Sequence, residues 1–177
     1  MEFTMDVFQQ FDKKWALLTA GDAEDFNMMT ISWGGLGTIW GKPVATTYVR
    51  TSRYTHEYMD KNAYFTISFF PEEYRKVLGV LGAKSGRNMD KMHDSGLTAK
   101  VISLDGKDGS ETAATDGSNA GGETVTFEEA EITLVCRKLY MQRMDPGNIL
   151  DEGAKAFYKN AEPHDEYIGE VVAILKK

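Results

Sequence analysis

Three short runs in this 177-residue sequence carry side chains whose types and spacing could do chemistry. The first, Asn27-Met28-Met29-Thr30-Ile31-Ser32-Trp33, puts an amide, two hydroxyls and an indole on a strand-like stretch, and the glycine-rich run Gly34-Gly35-Leu36-Gly37 follows at once. With a two-residue period, Met28, Thr30 and Ser32 face one way and Asn27, Met29, Ile31 and Trp33 the other. Glycine permits close approach to the backbone, so such a wall suits a planar heterocycle with a polar edge. From composition alone the plainer reading is the stronger: Thr and Ser are ordinary strand residues and Trp33 is ordinary core.

The second run, Arg50-Thr51-Ser52-Arg53-Tyr54-Thr55, falls where a strand should hand over to a helix. Unbonded backbone N–H groups, hydroxyls and two guanidiniums could converge there on one phosphate. A capping Ser or Thr beside solvated arginines explains the same residues. The third run, Gly82-Ala83-Lys84-Ser85-Gly86-Arg87, again joins small residues to basic ones; taken alone, it reads as a helix end and a loop.

Other chemistries lack their residues. There is no glycine-rich nucleotide fingerprint after the first strand, no phosphate-cradling loop ending in Gly-Lys-Ser/Thr, no Gly-x-Ser-x-Gly turn and no His-Glu-x-x-His pair. His56, His93 and His164 are far apart and none has a second histidine at ligand spacing, so no metal site is expected. Cys136, the sole cysteine, sits in an apolar run and reads as a small buried hydrophobe. A net charge of -7 argues against nucleic acid and anionic membranes as partners. The first residues lack the apolar core of a leader, and no span of about 18–20 apolar residues occurs, which sets the expectation of a cytoplasmic protein.

Certain elements must position these runs. At 42% hydrophobic the chain suffices for one substantial core, and a single domain over 1–177 is expected. Val7 to Leu18 has helical spacing and predicts a short amphipathic lead-in. Strands are predicted at Phe26 to Trp33, Lys42 to Val49, Ala63 to Phe70, Thr98 to Leu104, Thr124 to Met144 and Glu166 to Leu175, with helices from Arg53 to Lys61, from Glu72 to Leu81 and around Met89 to His93. Residues 105–123 contain no large apolar side chain and predict a polar, flexible insertion. Strands joined by short helices favour a mainly β, barrel-like architecture over a doubly wound sheet.

Taken together, the order of these runs resembles the flavin reductase-like FMN-binding split barrels, which include flavin reductases and flavoredoxins. The resemblance is carried by Phe26 to Gly34, Pro43-Val44-Ala45 leading to Arg50 to Thr55, Asn62 to Ser68, Lys84-Ser85-Gly86-Arg87 and Tyr167-Ile168-Gly169-Glu170-Val171. It implies a split β-barrel that binds FMN, with Asn27, Met28, Met29 and Thr30 along the isoalloxazine ring, Trp33 packing nearby and Ser32 among the cofactor-binding residues. It further implies that Arg50, Ser52, Arg53 and Thr55 hold the ribityl chain and phosphate, with Lys84 and Ser85 completing that grip. His164 could approach the flavin or a dimer partner. A homodimer is implied, as is transient use of NADH or NADPH, with no dedicated catalytic acid or base because the flavin carries the chemistry. Two activities stay open: an NAD(P)H-dependent flavin reductase, or a flavoredoxin-like carrier exchanging electrons with a protein partner. A barrel that has lost its cofactor is disfavoured by the polar wall and the arginine pair occurring together.

Overall fold

The computed structural model describes residues 3–104 and 122–177. Its nine described strands run in chain order β1 (Ala16–Gly21), β2 (Phe26–Ile31), β3 (Gly34–Ile39), β4 (Lys42–Arg50), β5 (Tyr64–Phe69), β6 (Ala99–Ser103), β7 (Glu123–Phe127), β8 (Ile132–Arg143) and β9 (His164–Lys176). Four short α-helices punctuate them: α1 (Tyr54–Lys61), α2 (Arg75–Ala83), α3 (Lys91–Ser95) and α4 (Glu152–Ala156). No helix among the described residues is long and apolar enough to cross a membrane.

Seven strands form one antiparallel sheet in the order β2-β1-β5-β8-β9-β4-β3, and β6 pairs with β7 alone. The edge strands β2 and β3 are consecutive in sequence, joined through Ser32 and Trp33. Three residue steps span at most about 11 Å, so the sheet has to curl until its two edges meet at that end. Register shifts in the β8–β9 pairing, between Val135 and Cys136 and between Lys138 and Tyr140, supply local bends in the two longest strands. Trp40 and Gly41, both with positive φ, close the two-residue hairpin between β3 and β4, as the primed turns of such loops require.

The core lies on both sides of the curled sheet. Leu18, Met29, Ile31, Phe65, Ile67, Leu134 and Tyr167 fill one side with Phe11, while Leu17 and Met28 face Leu78, Leu81, Leu97 and Phe127 on the other. The small sheet is anchored by buried hydroxyls: Thr66 Oγ1 donates to the Val125 carbonyl at 2.6 Å, and Ser68, Thr126 and Thr133 bond one another.

The mainly β architecture with short helices matches the expectation from sequence, with four local differences. The lead-in is shorter: one π-helical segment, Gln9–Lys14, ends at Trp15, and Leu18 lies in β1. All six residues of β1 are buried, so packing on both faces replaces the alternation that marks a strand. The glycine-rich run is β3, held by pairing with β4. The long apolar stretch Thr124 to Met144 divides into β7 and β8, in different sheets, at a turn near Glu128–Ala130. The polar insertion falls outside the described residues, apart from Gly122, which leads into β7, and Glu123, the first residue of that strand.

Candidate functional site

A cleft of about 220 Å³ opens where the curled sheet's edges meet, lined by Met29, Thr30, Ile31, Ser32, Trp33, Tyr48, Arg50, Arg53 and His164. β2 supplies one wall and the end of β4 the other. Arg53 stands at the corner that leads into α1, and the first residue of β9 closes the far side. Enclosing ligand pockets run to about 300–1,000 Å³, so a larger molecule seated here keeps part of itself outside.

The wall is fixed from behind. Thr30 Oγ1 donates to the Leu78 carbonyl of α2 at 2.5 Å, and Gly82 packs against the Thr30 side chain. Arg53 Nη1 donates to the Gly82 carbonyl at 2.9 Å, which sets this guanidinium between the end of α2 and the cleft. Arg50 reaches His164 Nε2 through Nε at 3.4 Å, and its terminal nitrogens have no hydrogen-bond partner among the described residues. An arginine nitrogen can only donate, so His164 Nε2 accepts and Nδ1 carries the ring proton, donating to Tyr158 Oη at 2.9 Å. Burial first, then the charges of Arg50 and Arg53, lower His164 to about 4, and the ring is neutral at physiological pH. Trp33 lies against it at 5.1 Å and meets Phe157 edge-on at 5.4 Å, forming an aromatic rim.

Among the described residues, no acidic side chain lines this cleft. Of the acids beside it on β9, Glu166 accepts from Tyr48 Oη at 3.3 Å, and Asp165 is committed elsewhere. Asp165 Oδ1 accepts from Arg143 Nε at 2.9 Å, and its Oδ2 faces His56 Nε2 at 2.7 Å. Burial would raise Asp165, but the hydrogen bonds and charges of Arg143 and His56 outweigh it and hold the carboxyl below its usual range. The cleft is therefore cationic, and its donor set fits an anion.

Of the residues singled out from sequence, the fold brings Met29, Thr30, Ser32, Trp33, Arg50 and Arg53 to the cleft. The side chains of Asn27, Met28, Ser52, Thr55, Lys84 and Ser85 are not part of its lining. Asn27 and Thr55 are buried together, Nδ2 donating to Oγ1 at 2.7 Å, beneath Gly86, where a Cβ would come 2.2 Å from Asn27 Oδ1. They join β2, α1 and the loop after α2. Met28 belongs to the core under α2. Ser52 is exposed and gives its carbonyl to Arg87 Nη1 at 3.2 Å; Lys84 is exposed at the end of α2; Ser85 Oγ accepts from the Arg87 backbone. Ile31, inside the run singled out from sequence, also lines the cleft, and Tyr48 enters the lining without a distinguishing sequence signal. Lys91, buried behind β2, was hidden because a lysine in a polar run gives no sign of burial.

Comparisons with known proteins agree with this geometry. The family model described as flavin reductase like domain matches residues 8–175. No curated protein matches the chain. Among solved structures, flavoredoxin from Methanosarcina acetivorans is 20% identical with a TM-score of 0.64, covering 100% of this chain and 75% of that one. An FMN-binding protein from Thermus thermophilus, with bound 1-cyclohex-2-enone, is 19% identical with a TM-score of 0.61, covering 99% and 78%. Nitrilotriacetate monooxygenase component B from Bacillus cereus is 14% identical with a TM-score of 0.63, covering 90% and 67%. At such identities the likeness is one of fold, and that fold is the split barrel.

Proposed function

The chain belongs to the flavin reductase-like family, and from that premise we propose that it is an FMN-binding oxidoreductase working as an NAD(P)H-dependent flavin reductase. The observation that carries the reading is a cleft lined by two arginines where, among the described residues, no acid is in the lining and the terminal nitrogens of Arg50 have no hydrogen-bond partner. That donor set fits a phosphate, and the β2 wall beside it fits a flat ring. The neighbours from Thermus thermophilus and Methanosarcina acetivorans, described as an FMN-binding protein and a flavoredoxin, support the same assignment.

Arg50 and Arg53 would hold the phosphate through charge-assisted hydrogen bonds. Met29, Thr30 and Ser32 would line the ring, and Trp33 would shield one side from water. When bound, FMN supplies the redox chemistry, accepting two electrons from a hydride donor and passing them on. The chain's residues bind and orient. His164, neutral and fixed as the Nδ1–H tautomer, presents no charge to a donor entering past the aromatic rim.

A homodimer belongs to the same reading. Ile39, Trp40, Tyr140 and Met141 expose apolar surface along β3 and β8, with Trp40 and Tyr140 rings 6.4 Å apart. Sedimentation at micromolar concentration should give a mass near twice that of the chain.

The flavoredoxin-like neighbour keeps the carrier activity in play, and one experiment separates the two. Anaerobic NADH or NADPH should bleach the bound-flavin absorption within seconds if the protein is a reductase. Bands that persist until dithionite is added would assign it as a carrier.

A further inference from the structure

Lys91 differs from the other basic side chains near the cleft. It is 6% exposed, and its ammonium donates to the Met28 carbonyl at 2.6 Å and the Leu81 carbonyl at 2.9 Å. No carboxylate among the described residues pairs with it. On its own helix, Asp90 accepts from the His93 backbone N–H and Asp94 faces the His93 ring, both at the surface. β2 and α2 present carbonyls; of the two cations of α2, Arg75 is turned to the Lys13 carbonyl and the Trp15 ring, and Lys76 is exposed. The charged group that acts on Lys91 is Arg53, bonded to the carbonyl one residue beyond Leu81.

We propose that Lys91 is a further cationic residue of the site, coupled to Arg53 through the end of α2, so that seating an anion on Arg53 and holding a proton on Lys91 favour each other. The identity of the physiological anion rests on the FMN reading; the coupling rests on this geometry.

The physical basis is the shared helix end. Its partial negative charge draws two cations together, yet they repel one another and one is buried without a counter-ion among the described residues. Burial, and then Arg53, lower Lys91 to about 8. An anion on Arg53 offsets the repulsion and raises that value. Above about pH 8 the liganded protein therefore holds more protons than the free one, and anion affinity falls as pH rises from there. Lys91 does not touch the cleft; it is a positioning residue that acts through Arg53 and β2.

The test is calorimetry of the whole chain at pH 8.5 in two buffers of contrasting ionisation enthalpy, titrating FMN, riboflavin and sulfate, a non-titrating anion. Wild type should take up a fraction of a proton with FMN and with sulfate but not with riboflavin, and FMN affinity should fall about tenfold between pH 7.5 and 9.5. Lys91→Met should abolish the uptake and flatten the pH profile; Lys91→Arg should keep affinity and lose the uptake. No uptake by wild type with either anion, or uptake retained in Lys91→Met, would overturn the coupling. Should Lys91→Met fail to fold, wild type and Lys91→Arg decide the matter. Sulfate bound with uptake but FMN refused would retain the coupling and remove the flavin reading; refusal of both anions would remove both.

Discussion

His164 and Asp165 are neighbours on β9, 7% and 1% exposed, and they face clusters that differ in completeness. Around Asp165 the polar groups are partnered: Arg143 and His56 meet its two oxygens, Asp60 faces the other nitrogen of His56 at 3.2 Å, and Tyr167 Oη donates to Asp60 at 2.9 Å. Around His164 they are not: Arg50 and Arg53 face a cleft that no acid among the described residues lines, and the imidazole is held neutral. A matched cluster has nothing left to bind and serves the fold. An unmatched one, with desolvated cations in a cleft, is costly unless a negative ligand occupies it. One residue step along a strand thus separates a structural network from a binding site.

The largest expected effect falls on the matched side. Asp165→Asn should lower unfolding stability by about 2–3 kcal/mol, less than a fully buried pair because Arg143 remains largely in water. Urea unfolding checks this, and an unchanged midpoint would break the contrast. On the unmatched side, Arg53→Ala or Arg50→Ala should weaken FMN binding by about 1–3 kcal/mol while stability drops by at most about 1 kcal/mol. A fluorescence titration beside a urea curve reads both; stability loss with affinity intact would place the arginines in the fold.

Smaller is the pH dependence. His164 has a folded value near 4, below the ordinary 6.5, so the unfolded chain takes a proton first and stability should fall as pH drops from about 6.5 to about 4. His164→Gln should flatten that part of a stability-against-pH curve; an identical slope would assign the acid sensitivity elsewhere. Smallest is Phe157→Ala, which removes an exposed edge contact to Trp33 worth about 0.5 kcal/mol and should alter KM for the nicotinamide slightly while leaving FMN affinity unchanged.

The sequence was most informative where side-chain period and local chemistry agreed. The Phe26 to Ile31 and Lys42 to Arg50 strands, and the helix ending at Lys61, fall within two residues of expectation, and the arginine pair reaches the cleft. It was least informative where burial overrides pattern. β1 is buried on both faces and its first residues continue a helical spacing, so no period marks it. Asn27 and Met28 sit within the recognised run, yet curling of the sheet turns one under Gly86 and the other beneath α2. Lys91 lies in a polar stretch, and only the tertiary fold draws its ammonium onto two carbonyls.

The contrast between the two clusters is tested most directly by measuring FMN and riboflavin dissociation constants for wild type and for the Arg50→Ala, Arg53→Ala double variant. Wild type should prefer FMN by about tenfold or more, and the variant should bind both flavins equally and weakly. Equal affinity of wild type for the two flavins, or affinity for neither, would contradict the assignment of the cleft as a phosphate-holding flavin site.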